Sequence, residues 1–204
     1  MYIPEIYKNN NQEEIVKFIQ ENSFGILINQ DSGNISATHI PLEYEVDNQG
    51  EPFLEGHISL ENPQWKSFET DNKVLAIFSG PNTYISSSWY DHENVPTWNY
   101  IAVHVLGTIC VLNYEDTLNS LKKLVDKYEA KSENPVKVEN LSDKTMMQAK
   151  GIVAFRIKIT KIDAVKKISQ NRDTKNHQNI ITELEKTNNH NACLIAQEMA
   201  KNKK

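Results

Sequence analysis

Cysteine is nearly absent: Cys110 and Cys193 are the only two in 204 residues, far apart and without C-x-x-C spacing. That excludes a disulfide framework and a thiolate zinc centre. Cys110 lies in an apolar run and Cys193 in a helix-like stretch, so both are expected as buried free thiols. No apolar run approaches the roughly 20 residues a membrane span needs. Met1-Tyr2-Ile3-Pro4 opens without a basic leader or an apolar h-region, so no signal peptide is expected and the expected compartment is the cytoplasm. The seven glycines form no phosphate-cradling loop, and no nucleophile elbow, Ser/His/Asp order or paired-carboxylate motif is visible. Net positive charge is also lacking: at −5, the whole molecule repels a nucleic-acid backbone, and DNA contact requires a local basic patch.

What remains is an ordinary globular composition, 39% hydrophobic and 24% charged. The expectation is a single domain over 1–204 with a helical appendage over 173–204. Ile15, Phe18 and Ile19 at helical spacing, with Asn11 and Glu14 placed as a capping box, predict a helix over Gln12–Glu21. Strands are predicted over 24–29, 35–46, 53–59 and 73–79, with turns at Asp31-Ser32-Gly33 and 47–50. The run 100–112 is apolar on both faces, predicting a central strand covered on each side, with Gly107 marking a bulge or close backbone approach. Leu118, Leu121, Leu124, Val125 and Tyr128 share one face of a further helix. A loop over 131–141 and a short helix over 143–150 lead to an alternating strand over 151–161. Two amphipathic stretches, 180–184 and 192–199, predict docked helices, and 201–204 should fray. Short strands and turns at this cadence point to a sandwich or barrel.

The chemistry concentrates in 80–100. Gly80-Pro81-Asn82-Thr83-Tyr84-Ile85-Ser86-Ser87-Ser88-Trp89-Tyr90 sets hydroxyls beside large aromatics, and Val95-Pro96-Thr97-Trp98-Asn99-Tyr100 follows an acidic loop. Aromatic faces can wall a flat ring while hydroxyls donate to phosphate or carbonyl oxygens, so a planar, polar-edged ligand fits; a structural cluster capping a sheet end fits too. His39 and His57 can bond a phosphate or a ring edge, or serve as satisfied polar residues. Asn62-Pro63 reads as an N-cap followed by N1. Between 150 and 175 stand Lys150, Arg156, Lys158, Lys161, Lys166, Lys167, Arg172 and Lys175 against Asp163 and Asp173. Such a patch suits a cofactor phosphate, nucleic acid or a solvated strand edge.

Together these pieces resemble the PaiB-like family, described as FMN-binding negative transcriptional regulators. The matching segments are Met1-Tyr2-Ile3-Pro4, Ala37-Thr38-His39-Ile40-Pro41-Leu42, Gly56-His57, Asn62-Pro63-Gln64-Trp65, Gly80-Pro81, Tyr84-Ile85-Ser86 and Ser88-Trp89-Tyr90. Val95-Pro96-Thr97-Trp98-Asn99-Tyr100, Val103-His104-Val105 with Gly107, and Ser169-Gln170-Asn171-Arg172 complete the set. The resemblance implies a mainly β (α+β) fold: a six-stranded antiparallel split β-barrel of FMN-binding type, with peripheral helices. It further implies a homodimer with FMN at the interface, its phosphate on basic and hydroxyl side chains. Carried onto this chain, the cofactor-binding candidates are Thr38, His39, His57, Ser86, Ser88, Trp89, Thr97, Trp98, Asn99 and Tyr100, with Lys167, Gln170 and Arg172 as additions. No catalytic residue and no metal ligand is implied. Ser87 stands where the family has proline, which would loosen its loop; Tyr128-Glu129 replaces a His-Glu pair and Ile168 a leucine.

The leading expectation is a flavin-dependent sensor or regulator. No helix-turn-helix pattern is apparent, so repression would be indirect or partner-dependent, with DNA a weaker expected partner. The alternative is an FMN-dependent oxidoreductase, in which the chemistry belongs to the cofactor. Haem handling through an exposed histidine, suggested by related split barrels, is the third.

Overall fold

Glycines and prolines decide where the strands turn and break. The computed structural model describes residues 1–202. The first helix, α1, covers Gln12–Glu21, and Asn11 Oδ1 accepts from the Glu13 and Glu14 amides. β1 (Phe24–Asp31) and β2 (Asn34–Pro41) pair antiparallel across a two-residue turn. Ser32 and Gly33 both hold positive φ (49° and 89°), the backbone that matches the twist of a tight hairpin. The predicted strand 35–46 breaks at Leu42, leaving β2 and a separate β3 (Glu43–Val46). β4 (Pro52–Ser59) pairs with β3 across a turn in which Asp47 Oδ1 accepts from the Gln49 and Glu51 amides.

Three long strands follow: β5 (Lys73–Ile85), β6 (Thr97–Val111) and β7 (Ile152–Lys167). Between β6 and β7 come α2 (Tyr114–Glu129), N-capped by Asn113, and the single-turn α3 (Asp143–Met146). α4 (Thr174–Glu185) and α5 (His190–Lys201) close the described chain; of the expected frayed end, 203–204 lie outside the described residues. The strand order is β2-β1-β5-β6-β7-β4-β3, an antiparallel sheet of seven strands rather than six, because the segment after Pro41 was split. β5 runs six residues beyond its predicted end despite Pro81. Its pairing with β1 ends at Ile77, so the proline nitrogen interrupts no bond of that ladder.

β6 is central in the order, but its two faces are covered unequally. Val103, Val105 and Ile109 are buried; Leu106 and Cys110 on the opposite face are exposed, and Cys193 is half-buried. The expected burial of both faces and of both thiols therefore fails: hydrophobicity on two faces does not guarantee two covering layers. Gly107 is a close approach, as expected. An added Cβ would collide with the Lys158 carbonyl oxygen and lie 2.5 Å from Ile157 Cγ2.

The chain separates into two compact units. One comprises Met1–Phe18, Phe78–His104 and Asp163–Lys204; the other comprises Ile19–Ile77 and Val105–Ile162. The second unit's core gathers Leu27, Leu42, Leu54, Phe68, Ala76 and Phe155, with Phe68 edge-on to Phe155 at 5.5 Å. In the first unit, Ile180, Ile181 and Leu184 of α4 and Ala192, Ile195, Ala196 and Met199 of α5 bury themselves with Ile85, Tyr90 and Ile168. The helices expected as an appendage thus supply most of that core. No helix among the described residues is long and apolar enough to cross a membrane.

Candidate functional site

The candidate residues divide between the two units. In the second, Thr38 and His39 lie on β2 and His57 on β4. The Thr38 hydroxyl donates to Gln64 Oε1 (2.5 Å) and accepts from Asn62 Nδ2 (2.9 Å). Buried Gln64 passes the network on, donating to the Leu27 carbonyl (3.1 Å) and to Asn29 Oδ1 (2.8 Å). Asn62 N-caps a 3₁₀ turn over Pro63–Ser67, as its sequence predicts. Thr38 is therefore committed to holding this turn against β1. His39 is exposed, its ring 6.3 Å from that of Phe24.

His57 is half-buried in a cleft of about 60 Å³ with Glu43, Glu45, Glu55, Lys123 and Lys127. Burial lowers the imidazole pKa and favours the neutral form. Each glutamate is already paired: Glu43 with Lys127, Glu45 with Lys123 (3.6 Å) and Glu55 with Arg156 (2.5 Å). A cleft this small is far below the roughly 300–1,000 Å³ that encloses an organic ligand. Alone it cannot house a flavin ring. Nearby, Tyr128 takes on a bridging role, its hydroxyl donating to Glu43 Oε1 (2.9 Å) and lying 2.7 Å from Ser23 Oγ.

In the first unit, strand alternation sorts the aromatic and hydroxyl residues onto opposite faces of β6. Trp98 is half-exposed, donates from Nε1 to Asn82 Oδ1 (3.2 Å) and meets the Tyr84 ring edge-on at 6.1 Å. Thr97 and Asn99 face the other way. Thr97 Oγ1 accepts from Lys167 Nζ at 2.6 Å. Asn99 is fully buried; its Nδ2 donates to Ser169 Oγ (3.0 Å), and Ser169 Oγ donates to Asn99 Oδ1 (3.2 Å). Tyr100 is half-buried on β6. Ser86 caps the short turn Ser87–Trp89, accepting from the Ser88 amide (3.2 Å), and its Oγ lies 2.8 Å from Ser88 Oγ. Those bonds close the turn that carries Ser87. Trp89 packs on the helical core cluster.

Lys167 and Arg172 are the electrostatic centre. Burial, and then the neighbouring Arg172, lowers the Lys167 pKa. Neither cation is ion-paired to a carboxylate among the described residues, and Arg172 Nε is buried without a hydrogen-bond partner. Arg172 lies over the Tyr90 ring at 5.0 Å, and Lys167 Nζ is 5.7 Å from the Tyr7 ring. Two adjacent cations without a counter-charge, one with an orphaned donor, offer the chemistry that a phosphate dianion needs. Elsewhere in the basic stretch, Arg156 pairs with Glu55, Lys166 with Glu14 and Glu198, and Lys175 with Asp91. Gln170 spends its amide on the backbone, donating to the Ile6 (3.1 Å) and Lys166 (2.6 Å) carbonyls. Tyr7 escaped sequence reasoning because nothing in a lone tyrosine near the start of the chain signals a cation 160 residues away.

The model of the family described as "Putative FMN-binding domain" matches residues 1–161. Over 200 residues the chain is 44% identical to the protease synthase and sporulation protein PAI 2 of Bacillus subtilis, covering 98% of this chain and 96% of that one. The chain belongs to the PaiB-like, FMN-binding family. FMN is the cofactor of this family member, and the uncompensated cations and hydroxyls of the first unit suit its phosphate. Among solved structures, the FAD and haem binding protein of Mycobacterium smegmatis superposes with a TM-score of 0.61 at 14% identity, covering 79% of this chain and 73% of that one. The flavocytochrome Anf3 of Azotobacter vinelandii also gives 0.61, at 15% identity over 81% and 72%. At such identities the likeness establishes the fold: an antiparallel sheet with helices, as in these split-barrel-like neighbours.

Proposed function

We propose that this PaiB-like protein is a homodimeric flavin-dependent sensor or regulator, in which Lys167 and Arg172, beside Thr97, hold the FMN phosphate. The observation that carries the reading is the pair of neighbouring cations without a carboxylate partner. FMN, when bound, supplies electron and hydride chemistry; this chain's residues anchor and orient it. The exposed Tyr84–Trp98 face of the first unit and exposed Phe24 and Ile35 of the second are apolar surfaces suited to contact with a second copy. Ser86, Ser88, Tyr100 and Gln170 of the first unit brace the ligand in this reading, and the chain acts as one FMN-binding domain. β2 and β3, separated only by Leu42, count as one bent strand, which supports a six-stranded split barrel. The pairing of Arg156, Lys166 and Lys175 with carboxylates thins the basic stretch and favours regulation through a partner over direct grip on DNA.

The test combines absorption spectroscopy with sedimentation. Protein supplied with FMN should sediment as a dimer carrying one flavin per chain and stay oxidised when reduced nicotinamide is added anaerobically. Bleaching on a catalytic timescale would replace the sensor with an oxidoreductase, and a flavin-loaded monomer would remove the dimer.

A further inference from the structure

Of the cations proposed to hold phosphate, Lys167 ends β7 and Arg172 sits on the loop that follows. Ser169 is buried with φ of 58°, a left-handed backbone that a residue with a Cβ resists. Its hydroxyl is held by Asn99, whose Nδ2 also lies 3.8 Å from Met199 Sδ of α5. One residue earlier on α5, Glu198 pairs with Lys166 at 2.9 Å, immediately before Lys167. The Arg172 amide then donates to the Ser169 carbonyl (3.1 Å), so the position of Arg172 follows that of Ser169. Asn99 has no exposed surface and cannot touch a ligand. Lys166, Ser169, Glu198 and Met199 lie beyond the stretch 1–161 that the family model matches, and Asn99 lies within it.

We infer that α5, acting through Asn99–Ser169 and Glu198–Lys166, is a clamp that aims Lys167 and Arg172, so that phosphate binding and docking of α5 are coupled. Asn99 and Ser169 are positioning residues in this arrangement. The inference rests on the reading of Lys167 and Arg172 as the phosphate holders. Because coupling is reciprocal, a ligand that needs the aimed loop must stabilise the docked helix by the same factor by which the docked helix strengthens binding.

The test pairs hydrogen exchange with affinities for FMN and for riboflavin, which lacks the phosphate. In the unaltered protein, saturating FMN should slow amide exchange across 190–201 by about fivefold or more, and riboflavin should not. Ser169→Ala and Glu198→Gln should each lower the FMN-to-riboflavin affinity ratio by about fivefold with riboflavin affinity unchanged, and Ser169→Gly, which tolerates the backbone, should lose less. Glu198→Gln alters a partly exposed side chain, and the exchange measurement needs no variant, so a folding defect in Ser169→Ala cannot mask the answer. Lys167→Met is the control for the underlying reading. If it collapses the ratio while FMN leaves α5 exchange unchanged, or while Ser169→Ala and Glu198→Gln keep the original ratio, the clamp is refuted and the phosphate assignment stands. If Lys167→Met keeps the ratio, both fall.

Discussion

Replacing Lys167 by methionine separates binding from stability. The change removes a charge-assisted contact to phosphate worth about 1.5–3 kcal/mol, an affinity loss of about 10- to 150-fold. With FMN at about 100 times its dissociation constant, the unaltered protein gains about 2.7 kcal/mol, and a thirtyfold weaker variant gains about 0.9 kcal/mol. For a chain of this size those gains correspond to rises in Tm of roughly 5–11 °C and 2–4 °C. The ligand-free variant should be about as stable as the parent, within about 1 kcal/mol. It loses the bond to Thr97 but also a desolvated charge beside Arg172. The assay is thermal unfolding with and without FMN, with riboflavin as the phosphate-free control. An FMN-induced shift as large in Lys167→Met as in the parent would refute the assignment.

Three further perturbations, one of pH and two of sequence, have defined outcomes. FMN affinity should fall as pH rises through the lowered pKa of Lys167, because the ligand needs the ammonium. The ligand-free chain should gain stability over that range, since the folded lysine releases its proton before the unfolded one; flavin fluorescence titrations at stepped pH check the first and urea unfolding the second. Gln64→Ala should cost roughly 2–4 kcal/mol, read as a lower urea midpoint, because the Leu27 carbonyl, Asn29 and Thr38 all lose a partner in a buried site. Gly107→Ala should cost about 1–3 kcal/mol by forcing β6 away from Lys158, with FMN affinity per folded molecule unchanged.

Local chemistry made much of this fold readable. The Asn11 cap placed α1, Ser32-Gly33 placed the first hairpin, and Asn62-Pro63 opened its turn where the side-chain acceptor and missing amide require. What stayed hidden depends on distant partners. A two-sided apolar pattern on β6 cannot say that one face stays only partly covered, and Pro81 stops a strand only where a neighbour needs its amide. At the site, Lys167 and Arg172 stood out only as members of a basic stretch. Arg156, Lys166 and Lys175 drop out of contention only once Glu55, Glu198 and Asp91 are seen paired with them. Asn99 has a motif position typical of a ligand contact, yet its burial makes it a brace.

The most direct measurement is a calorimetric titration of FMN and of riboflavin into the purified protein. One FMN should bind per chain, with riboflavin weaker by about 100-fold or more, as expected for two charge-assisted phosphate contacts. Equal affinities for the two flavins, or no heat with FMN at all, would contradict this expectation.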